Sequence, residues 1–385
     1  MLRVSVLSVD GKPLMPTKAS RARRWLKQRI AKVIHNDLNI FQIQLMQSPE
    51  TSHTQSIVVG IDPGKLYTGI GVQSAKFTLW LAHLQLPFNT VRKRMDQRRI
   101  MRRGRRSRRI NRKVVFTKRA HRQKRFDNRC HGSRIPPSIR AKSAGQSTLS
   151  GELCANRELE LRVLGEISDI YPITVIVYEI IKANGDKSFS PVMVGQKWQL
   201  GNLRNDWGDE NVFVIEGWKT SQIRTQLGLE KQKHSKGDTV PATHAVDGVA
   251  LACSQFIDYG IVSRQLMGWR GSVNVTSAPF AVISRPPVSR RQLHLMVPAK
   301  GGVRRKYGGT VTRHGFRKGD YVEAIQAGRV YRGWVSGDTE KRVAVSDANW
   351  VRIKQFSAKK VRLLQRSTGL IVTGTKVPVH VSSVV

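Results

Sequence analysis

Three acidic side chains, each at the end or the start of an apolar segment, constrain the fold of this chain more than any other feature. Asp62 ends the apolar run 56–61, and Glu179 ends the run 173–178. Both runs have the length and composition of buried strands. Asp247 lies at the start of a segment with helical apolar periodicity. Since neighbouring strands that run the same way end at one edge of a sheet, the sequence predicts that the three carboxylates converge there.

The other apolar patterns predict a mixed α/β fold around that edge. Residues 68–72 and 77–86 follow 56–61 closely, so three consecutive strands linked by hairpins are expected. Further elements are predicted as a strand at 212–215 and helices over 152–171 and 220–229.

Charge restricts the class of partner. The chain of 385 residues has 67 Lys and Arg against 26 Asp and Glu, a net charge of +41. Such an excess predicts a polyanionic partner, and nucleic acid is the first choice. A membrane surface is the rival, but no stretch reaches the roughly 18 to 20 consecutive apolar residues of a spanning helix, and the first residues lack the apolar core of a signal peptide. We therefore expect a soluble, cytoplasmic protein.

Residues 92–125 form the most basic segment, with 18 Lys or Arg and one acid, Asp96. Runs of like charge are often disordered. This run is internal, lacks proline and is rich in arginine, a good helix former, so we predict a helix of about 50 Å. Its candidate nucleic-acid-binding residues are Arg94, Arg98, Arg99, Arg102, Arg103, Arg105, Arg106 and Arg109.

The two ends of the chain differ in composition. Residues 1–55 predict a small basic unit with a strand at 4–9 and a helix over 20–34. Residues 281–385 alternate short apolar runs with glycine turns, the pattern of a small β-barrel or sandwich. Candidate contacts there, either to bases or to phosphates, are Arg304, Arg305, Arg313, Arg317 and Lys318.

The acidic residues have the composition of a metal-dependent phosphodiesterase site. Two divalent ions about 3.5 to 4 Å apart, held by carboxylates, stabilise the attacking and leaving oxygens of such a reaction. We predict Asp62, Glu179 and Asp247 as ligands of two Mg²⁺ or Mn²⁺ ions, which prefer oxygen. His244 shares a helical face with Asp247 and would orient water, act as a general base or bind one metal. Taken singly, Asp62 is also a typical turn residue, Glu179 a strand end and Asp247 a helix-dipole partner.

Four segments resemble, in order, the RuvC-I motif, the bridge helix, and the RuvC-II and RuvC-III motifs of the transposon-encoded ancestors of the large CRISPR nucleases. They are Ile61-Asp62-Pro63-Gly64, residues 92–125, Val177-Tyr178-Glu179 and His244-Ala245-Val246-Asp247-Gly248. Pro13-Leu14-Met15-Pro16 matches the PLMP signature of the IscB and IsrB families, and residues 304–310 and 315–322 resemble their C-terminal region. IscB carries an HNH nuclease before RuvC-III, whereas residues 180–243 hold a single histidine, His234. The chain thus resembles the IsrB family.

This resemblance implies an RNase H-like (RuvC) mixed sheet assembled from split segments. It implies an RNA-guided nickase that cuts the non-target strand of duplex DNA next to a short flanking motif. The implied partners are an omega-type guide RNA and target DNA, with the protein a monomer in a nucleoid-associated prokaryotic ribonucleoprotein. The implied domains are 1–55 (PLMP), 56–88 (RuvC-I segment), 89–130 (bridge helix), 131–280 (RuvC-II and RuvC-III segments) and 281–385 (β-rich domain that reads the flanking motif).

Two other functions stay open at this stage. One is a guide-independent, structure-selective nuclease of the RuvC resolvase type, which would act on branched DNA as a dimer. The other is an RNA-guided DNA-binding protein without catalytic activity. The basic run 92–125 is not needed for the first, and the acids Asp62, Glu179 and Asp247 are not needed for the second.

Overall fold

A four-stranded sheet begins the chain in the computed structural model, which describes residues 2–48, 53–108, 149–182, 191–230, 241–263, 266–288, 293–295, 305–307 and 309–375. Its strands are β1 (Arg3–Leu7), β2 (Pro13–Lys18), β3 (Ala31–Ile34) and β4 (Gln42–Leu45), in the order β2-β1-β4-β3. Helix α1 (Ala19–Lys27) buries Ala22 against this sheet. The PLMP signature therefore forms the start of strand β2.

The helix predicted over 20–34 is wrong in its second half. Helix α1 ends at Lys27, and Arg29 has a φ of 56°, the left-handed conformation that commonly follows a helix end. The amide of Ile30 then donates to the carbonyl of Trp25 and closes the turn. As a result the chain reverses, and residues 31–34 form strand β3 instead of a further helical turn.

A seven-stranded mixed sheet forms the centre of the protein. Strands β5 (Ile57–Pro63), β6 (Tyr67–Ser74) and β7 (Thr78–Gln85) are antiparallel neighbours, which confirms the three predicted hairpin-linked strands. Strands β8 (Val175–Ile180) and β9 (Val212–Glu216) follow on the other side of β5 and run parallel to it. The mixed α/β fold is thus as expected, and five neighbouring strands of this sheet have the order β7-β6-β5-β8-β9.

Five further helices are described: α2 (Phe88–Arg108), α3 (Gly151–Ser168), α4 (Pro191–Trp207), α5 (Gly217–Gln226) and α6 (Pro241–Cys253). Helix α2 contains the first part of the predicted basic helix, and residues 109–125 lie outside the described part of the chain. Asp247 lies in the middle of α6 and not at a helix start, because the helix begins at Pro241, a residue suited to the first turn. Among the described residues, no helix is both long and apolar enough to cross a membrane.

The two faces of the central sheet are covered by different helices. Helix α3 packs Leu159, Val163 and Ile167 into the same core as the β5 residues Val59 and Ile61. On the opposite face, α6 packs against the sheet through an apolar stripe that includes Val249 and Cys253. Since side chains alternate along a strand, neighbouring residues of β5 belong to opposite faces.

The described strands of the C-terminal part belong to four sheets. Hairpin β10 (Ile257–Ser263) and β11 (Leu266–Gly271) is followed by β12 (Phe280–Ser284) and by the short pair β13 (Leu293–Leu295) and β14 (Arg305–Tyr307). A five-stranded antiparallel sheet then contains β15 (Tyr321–Gln326), β16 (Arg329–Asp338), β17 (Arg342–Ser346), β18 (Arg352–Ser357) and β19 (Val361–Gln365). Strands β12 and β20 (Ile371–Thr375) belong to the central sheet instead, with β12 next to β7 and β20 beyond it at the edge. The predicted β-rich region is therefore only partly a separate layer, and the domain boundaries stay a prediction.

Candidate active site

Helix α6 lies directly on the backbone of the central sheet because glycines line the contact. A Cβ added at Gly60 would lie 2.1 Å from the carbonyl oxygen of Gly248, and one at Gly69 would lie 1.7 Å from that of His244. A Cβ at Gly71 would lie 2.7 Å from the backbone of Gly248. These separations leave no room for a side chain, so the glycines are what allows the backbone of α6 to approach. This approach brings the His244–Asp247 turn of the helix to the ends of the strands.

Asp62 and Glu179 occupy equivalent positions on adjacent strands. The parallel register of β5 and β8 pairs Ile61 with Tyr178, so Asp62 and Glu179 are the next residues along each strand. Side chains at equivalent positions of paired strands point to the same face. Asp62 keeps 20% of its side chain exposed, and Glu179 is half-buried. The first two predicted ligands thus meet at one edge of the sheet.

His244 completes this edge from helix α6. Its Nδ1 lies 3.6 Å from Oδ2 of Asp62, and its side chain is 28% exposed. The ring centroids of Tyr67 and His83 lie 5.7 and 5.3 Å from that of His244, and Tyr67 stacks on His83 at 4.9 Å. Two aromatic rings therefore limit the positions that the His244 imidazole can take beside Asp62.

His83 is an unusual member of this group because it is fully buried. Neither of its ring nitrogens has a hydrogen-bond partner within the described chain. Burial, with repulsion from His244 as the smaller cause, lowers the pKa of His83 to about 4. His83 is therefore a neutral ring at neutral pH and acts by packing.

Helix α5 contacts both remaining acids. The hydroxyl of Thr220 donates to Oε2 of Glu179 at 3.1 Å. One helical turn later, Nη1 of Arg224 donates to Oδ1 of Asp247 at 2.5 Å. Asp247 is only 4% exposed, so a positive charge at this distance offsets much of the cost of burying the carboxylate.

Three of the four predicted residues lie at the same edge of the central sheet. Asp62 and Glu179 are on the same face of the sheet, and Nδ1 of His244 lies 3.6 Å from Asp62 on the side of helix α6. Asp247 lies on the same face of α6 as His244, but its Oδ1 accepts a hydrogen bond from Arg224. Within the described ranges, no three His, Cys, Asp or Glu side chains approach closely enough to hold one metal ion together. The donor set of three carboxylates matches the preference of Mg²⁺ for oxygen, so in chemical type it fits the predicted metal.

A buried polar network on the opposite face holds the loop that follows Asp62. Arg157 and Glu160 of α3 form an ion pair of 2.6 Å, and both side chains are fully buried. Nη2 of Arg157 donates to the carbonyl of Gly64 at 2.9 Å, and the hydroxyl of Thr68 donates to Glu160 at 2.5 Å. The pair thus holds the loop at the backbone of Gly64 and the start of β6 at the side chain of Thr68.

Sequence analysis missed several of these residues. Arg224 is one of 67 Lys and Arg, and no local pattern distinguishes it from the others. The same is true of Arg157 and Glu160, whose partners are distant in sequence. The glycines did carry a signal, because Gly69 and Gly71 on one strand and Gly60 on its neighbour indicate close backbone approach.

The candidate nucleic-acid-binding residues of α2 differ from one another. Arg98 and Arg99 are exposed, and Arg99 pairs loosely with Asp96 at 3.5 Å. Arg94 donates to the carbonyl of Pro287 at 2.5 Å and so links α2 to the C-terminal part. The backbone of α2 includes Arg102, Arg103, Arg105 and Arg106, but their side chains are outside the described part, as is all of Arg109.

The C-terminal candidates are likewise only partly described. Arg313 is 70% exposed, with its guanidinium 3.8 Å from Asp338. Arg317 is exposed and Lys318 half-buried, at the turn before β15. Arg304 and the side chain of Arg305 lie outside the described residues. A role of these residues in binding nucleic acid stays a prediction.

Comparisons with known proteins place the chain in a family. No curated protein matches the sequence. The structure of T. thermophilus RuvC in complex with Holliday junction substrate is 14% identical over 51% of this chain and 90% of its own, with a TM-score of 0.25, an overlap too loose to support an argument. The RRXRR family model matches residues 4–201, just over half of the chain, and this stretch contains Arg102-Arg103-Gly104-Arg105-Arg106. The chain therefore belongs to the RRXRR protein family.

Proposed function

We propose that this protein is a DNA endonuclease that nicks the non-target strand of a duplex, guided by an omega-type RNA. The observation that carries the proposal is the placement of Asp62 and Glu179 in register on β5 and β8, with His244 at 3.6 Å from Asp62. The RRXRR family is associated with IscB- and IsrB-like nucleases, so membership supports a nuclease of the RuvC type.

The strand order agrees with this proposal. The strands have the order β7-β6-β5-β8-β9, with three antiparallel strands followed by two parallel ones. RNase H-like nucleases have this arrangement. In that arrangement the first and fourth strands lie side by side, and here they are β5 and β8. Their ends carry Asp62 and Glu179, the residues to which the sequence assigns metal binding.

Each residue has a role in the proposed chemistry. Divalent ions, when bound, stabilise negative charge on the attacking and leaving oxygens of the phosphodiester. Asp62, Glu179 and Asp247 would hold Mg²⁺ there, and Mn²⁺ would substitute. His244, fixed beside Asp62, orients the attacking water and accepts its proton. Arg224 holds the Asp247 carboxylate in its orientation through the bond to Oδ1.

Cutting of a single strand follows from having one acidic centre. The described elements between Glu179 and His244 are α4, β9 and α5, which pack on the central sheet and its helices. They form no ββα unit, so the described chain contains one candidate nuclease centre. RNA guidance rests on the basic helix α2, on the PLMP strand β2 and on the net charge of +41.

A cleavage assay with separately labelled strands tests the proposal. With guide RNA, matched duplex and Mg²⁺, we expect a nick in the non-target strand alone. The Asp62→Ala variant should lose cleavage but keep RNA affinity, because one carboxylate changes little in so positive a protein. Equal cutting of both strands would contradict the nickase, and cutting of branched DNA without RNA would favour a guide-independent resolvase.

A further inference from the structure

An open aromatic groove lies beside the candidate active site. It has a volume of about 700 Å³ and lies between helix α5 and the hairpin β10–β11. Its lining residues are Trp218, Ser221, Gln222, Thr225, Gln226, Tyr259 and Trp269. All seven are uncharged, and three are aromatic.

The aromatic rings of the groove are accessible to a ligand. Trp218 and Tyr259 are each 55% exposed, although large aromatic side chains normally contribute to cores. Trp269 is half-buried and meets Tyr259 edge-on, with the ring centroids 5.6 Å apart and the planes at 66°. The indole nitrogen of Trp218 donates to Glu216 at 3.0 Å, and the ammonium nitrogen of Lys219 lies over its ring, 5.4 Å from the centroid.

Helix α5 connects this groove to the acids. Thr220 and Arg224 contact Glu179 and Asp247 on one side of the helix. Ser221 lines the groove and also receives a hydrogen bond of 3.1 Å from Nη2 of Arg224. The groove is therefore linked to Asp247 by two hydrogen bonds, from Arg224 to Ser221 and from Arg224 to Asp247.

We propose that the groove binds unpaired bases of the DNA strand that is being cut, next to the scissile phosphate. Bases stack on aromatic side chains whatever their sequence, and the Gln222 and Gln226 amides offer donors and acceptors to base edges. A base in a duplex already has both faces covered, so the groove selects an unpaired strand. This inference rests on the proposed function, because it takes its ligand from the strand that reaches Asp62.

An affinity measurement tests the groove without any need for cleavage. The full-length protein is titrated in EDTA with a short thymidine oligonucleotide and with an abasic oligonucleotide of the same length. Both carry the same phosphates, so charge attraction is equal and only base stacking differs. Trp218→Ala and Tyr259→Ala should each weaken binding of the thymidine strand by roughly 5- to 150-fold. Neither should change binding of the abasic strand.

The matched control is Phe41→Ala, which removes a ring that is 53% exposed but lies outside the groove. It should leave both affinities unchanged. Equal affinities of parent and groove variants for the thymidine strand would overturn the proposal, as would an equal loss for the abasic strand. Weakened binding of a uridine oligonucleotide but not of thymidine would assign the groove to RNA and overturn it too. A protein that binds as proposed but never cleaves DNA would refute the nuclease proposal alone.

Discussion

The charged side chains on the two faces of the central sheet differ in how far they are exposed. On the α3 face, Arg157 and Glu160 are fully buried and bonded to each other and to the loop after Asp62. On the α5–α6 face, Asp62 and His244 keep 20% and 28% of their side chains exposed. Arg157 and Glu160 are committed to structure, whereas Asp62 and His244 remain accessible to a substrate. Asp247 is the exception on the second face, because it is 4% exposed and paired with Arg224.

This difference predicts how substitutions will act. On the α3 face, removal of Arg157 or Glu160 leaves the other side chain buried away from water and without its ion-pair partner, which lowers the free energy of unfolding. On the α5–α6 face water replaces a lost partner of Asp62 or His244, which are partly exposed, so stability changes little while chemistry is lost.

Removal of one partner of the buried pair should have the largest effect. Arg157→Met leaves Glu160 fully buried without its cationic partner, and we expect a loss of about 3 to 5 kcal/mol in the free energy of unfolding. The double variant Arg157→Met/Glu160→Met should recover most of that loss, because an apolar pair has no charge to bury. Denaturant unfolding of the two variants and the parent measures both values. A double variant as unstable as the single one would show that the loop contacts matter more than the charge.

The double variant also tests whether the buried pair helps to position Asp62. It lacks the bonds to the Gly64 carbonyl and the Thr68 hydroxyl but keeps the bond from Asn156 to the carbonyl of Lys65, so the loop after Asp62 is held less firmly. We expect it to be folded and to bind RNA, but to cleave DNA more slowly than the parent. Unchanged cleavage would mean that the position of Asp62 does not depend on the bonds from the buried pair to Gly64 and Thr68.

His83 should make stability depend on pH between about 4 and 6.5. Its pKa is lowered to about 4 in the folded protein and is near 6.5 when unfolded, so the unfolded chain binds the extra proton first. The free energy of unfolding therefore keeps its full value above pH 6.5. It falls as the pH drops toward 4, by roughly 3 kcal/mol in total. The His83→Phe variant should not show this loss. The difference between the two unfolding free energies, measured from pH 7 to pH 4, should therefore grow as the pH falls, and a constant difference would contradict the prediction.

Gly69→Ala tests the glycine contact under α6. The added Cβ would lie 1.7 Å from the carbonyl oxygen of His244, so the helix must move. We expect a loss of about 1 to 3 kcal/mol in stability together with a strong loss of cleavage, since His244 moves with the helix. Gly201→Ala is the matched control, because its Cβ would meet no atom within 4 Å. Retained cleavage in Gly69→Ala would show that His244 need not be held so closely.

The sequence predicted one part of this arrangement and missed another for physical reasons. The strands that carry Asp62 and Glu179 were recognisable because buried strands leave uninterrupted apolar runs. The helix start at Asp247 was wrong because Pro241 extends α6 backwards through residues with no apolar periodicity. The partners Arg224 and Arg157 depend on contacts between distant segments, and in a chain so rich in arginine no local pattern singles them out.

The smallest expected effect on stability is that of Thr220→Val on the accessible face. The substitution keeps the shape of the side chain but removes the hydroxyl that donates to Glu179 at 3.1 Å. Because Glu179 is half-buried, water replaces much of this bond, and the loss should be about 1 kcal/mol. Cleavage should fall by a larger factor than such a loss of stability explains, since Glu179 gains freedom to rotate. Thr220→Ser, which keeps the hydroxyl, should retain cleavage. A large loss of stability with normal cleavage in Thr220→Val would place Glu179 with the structural charges of the α3 face.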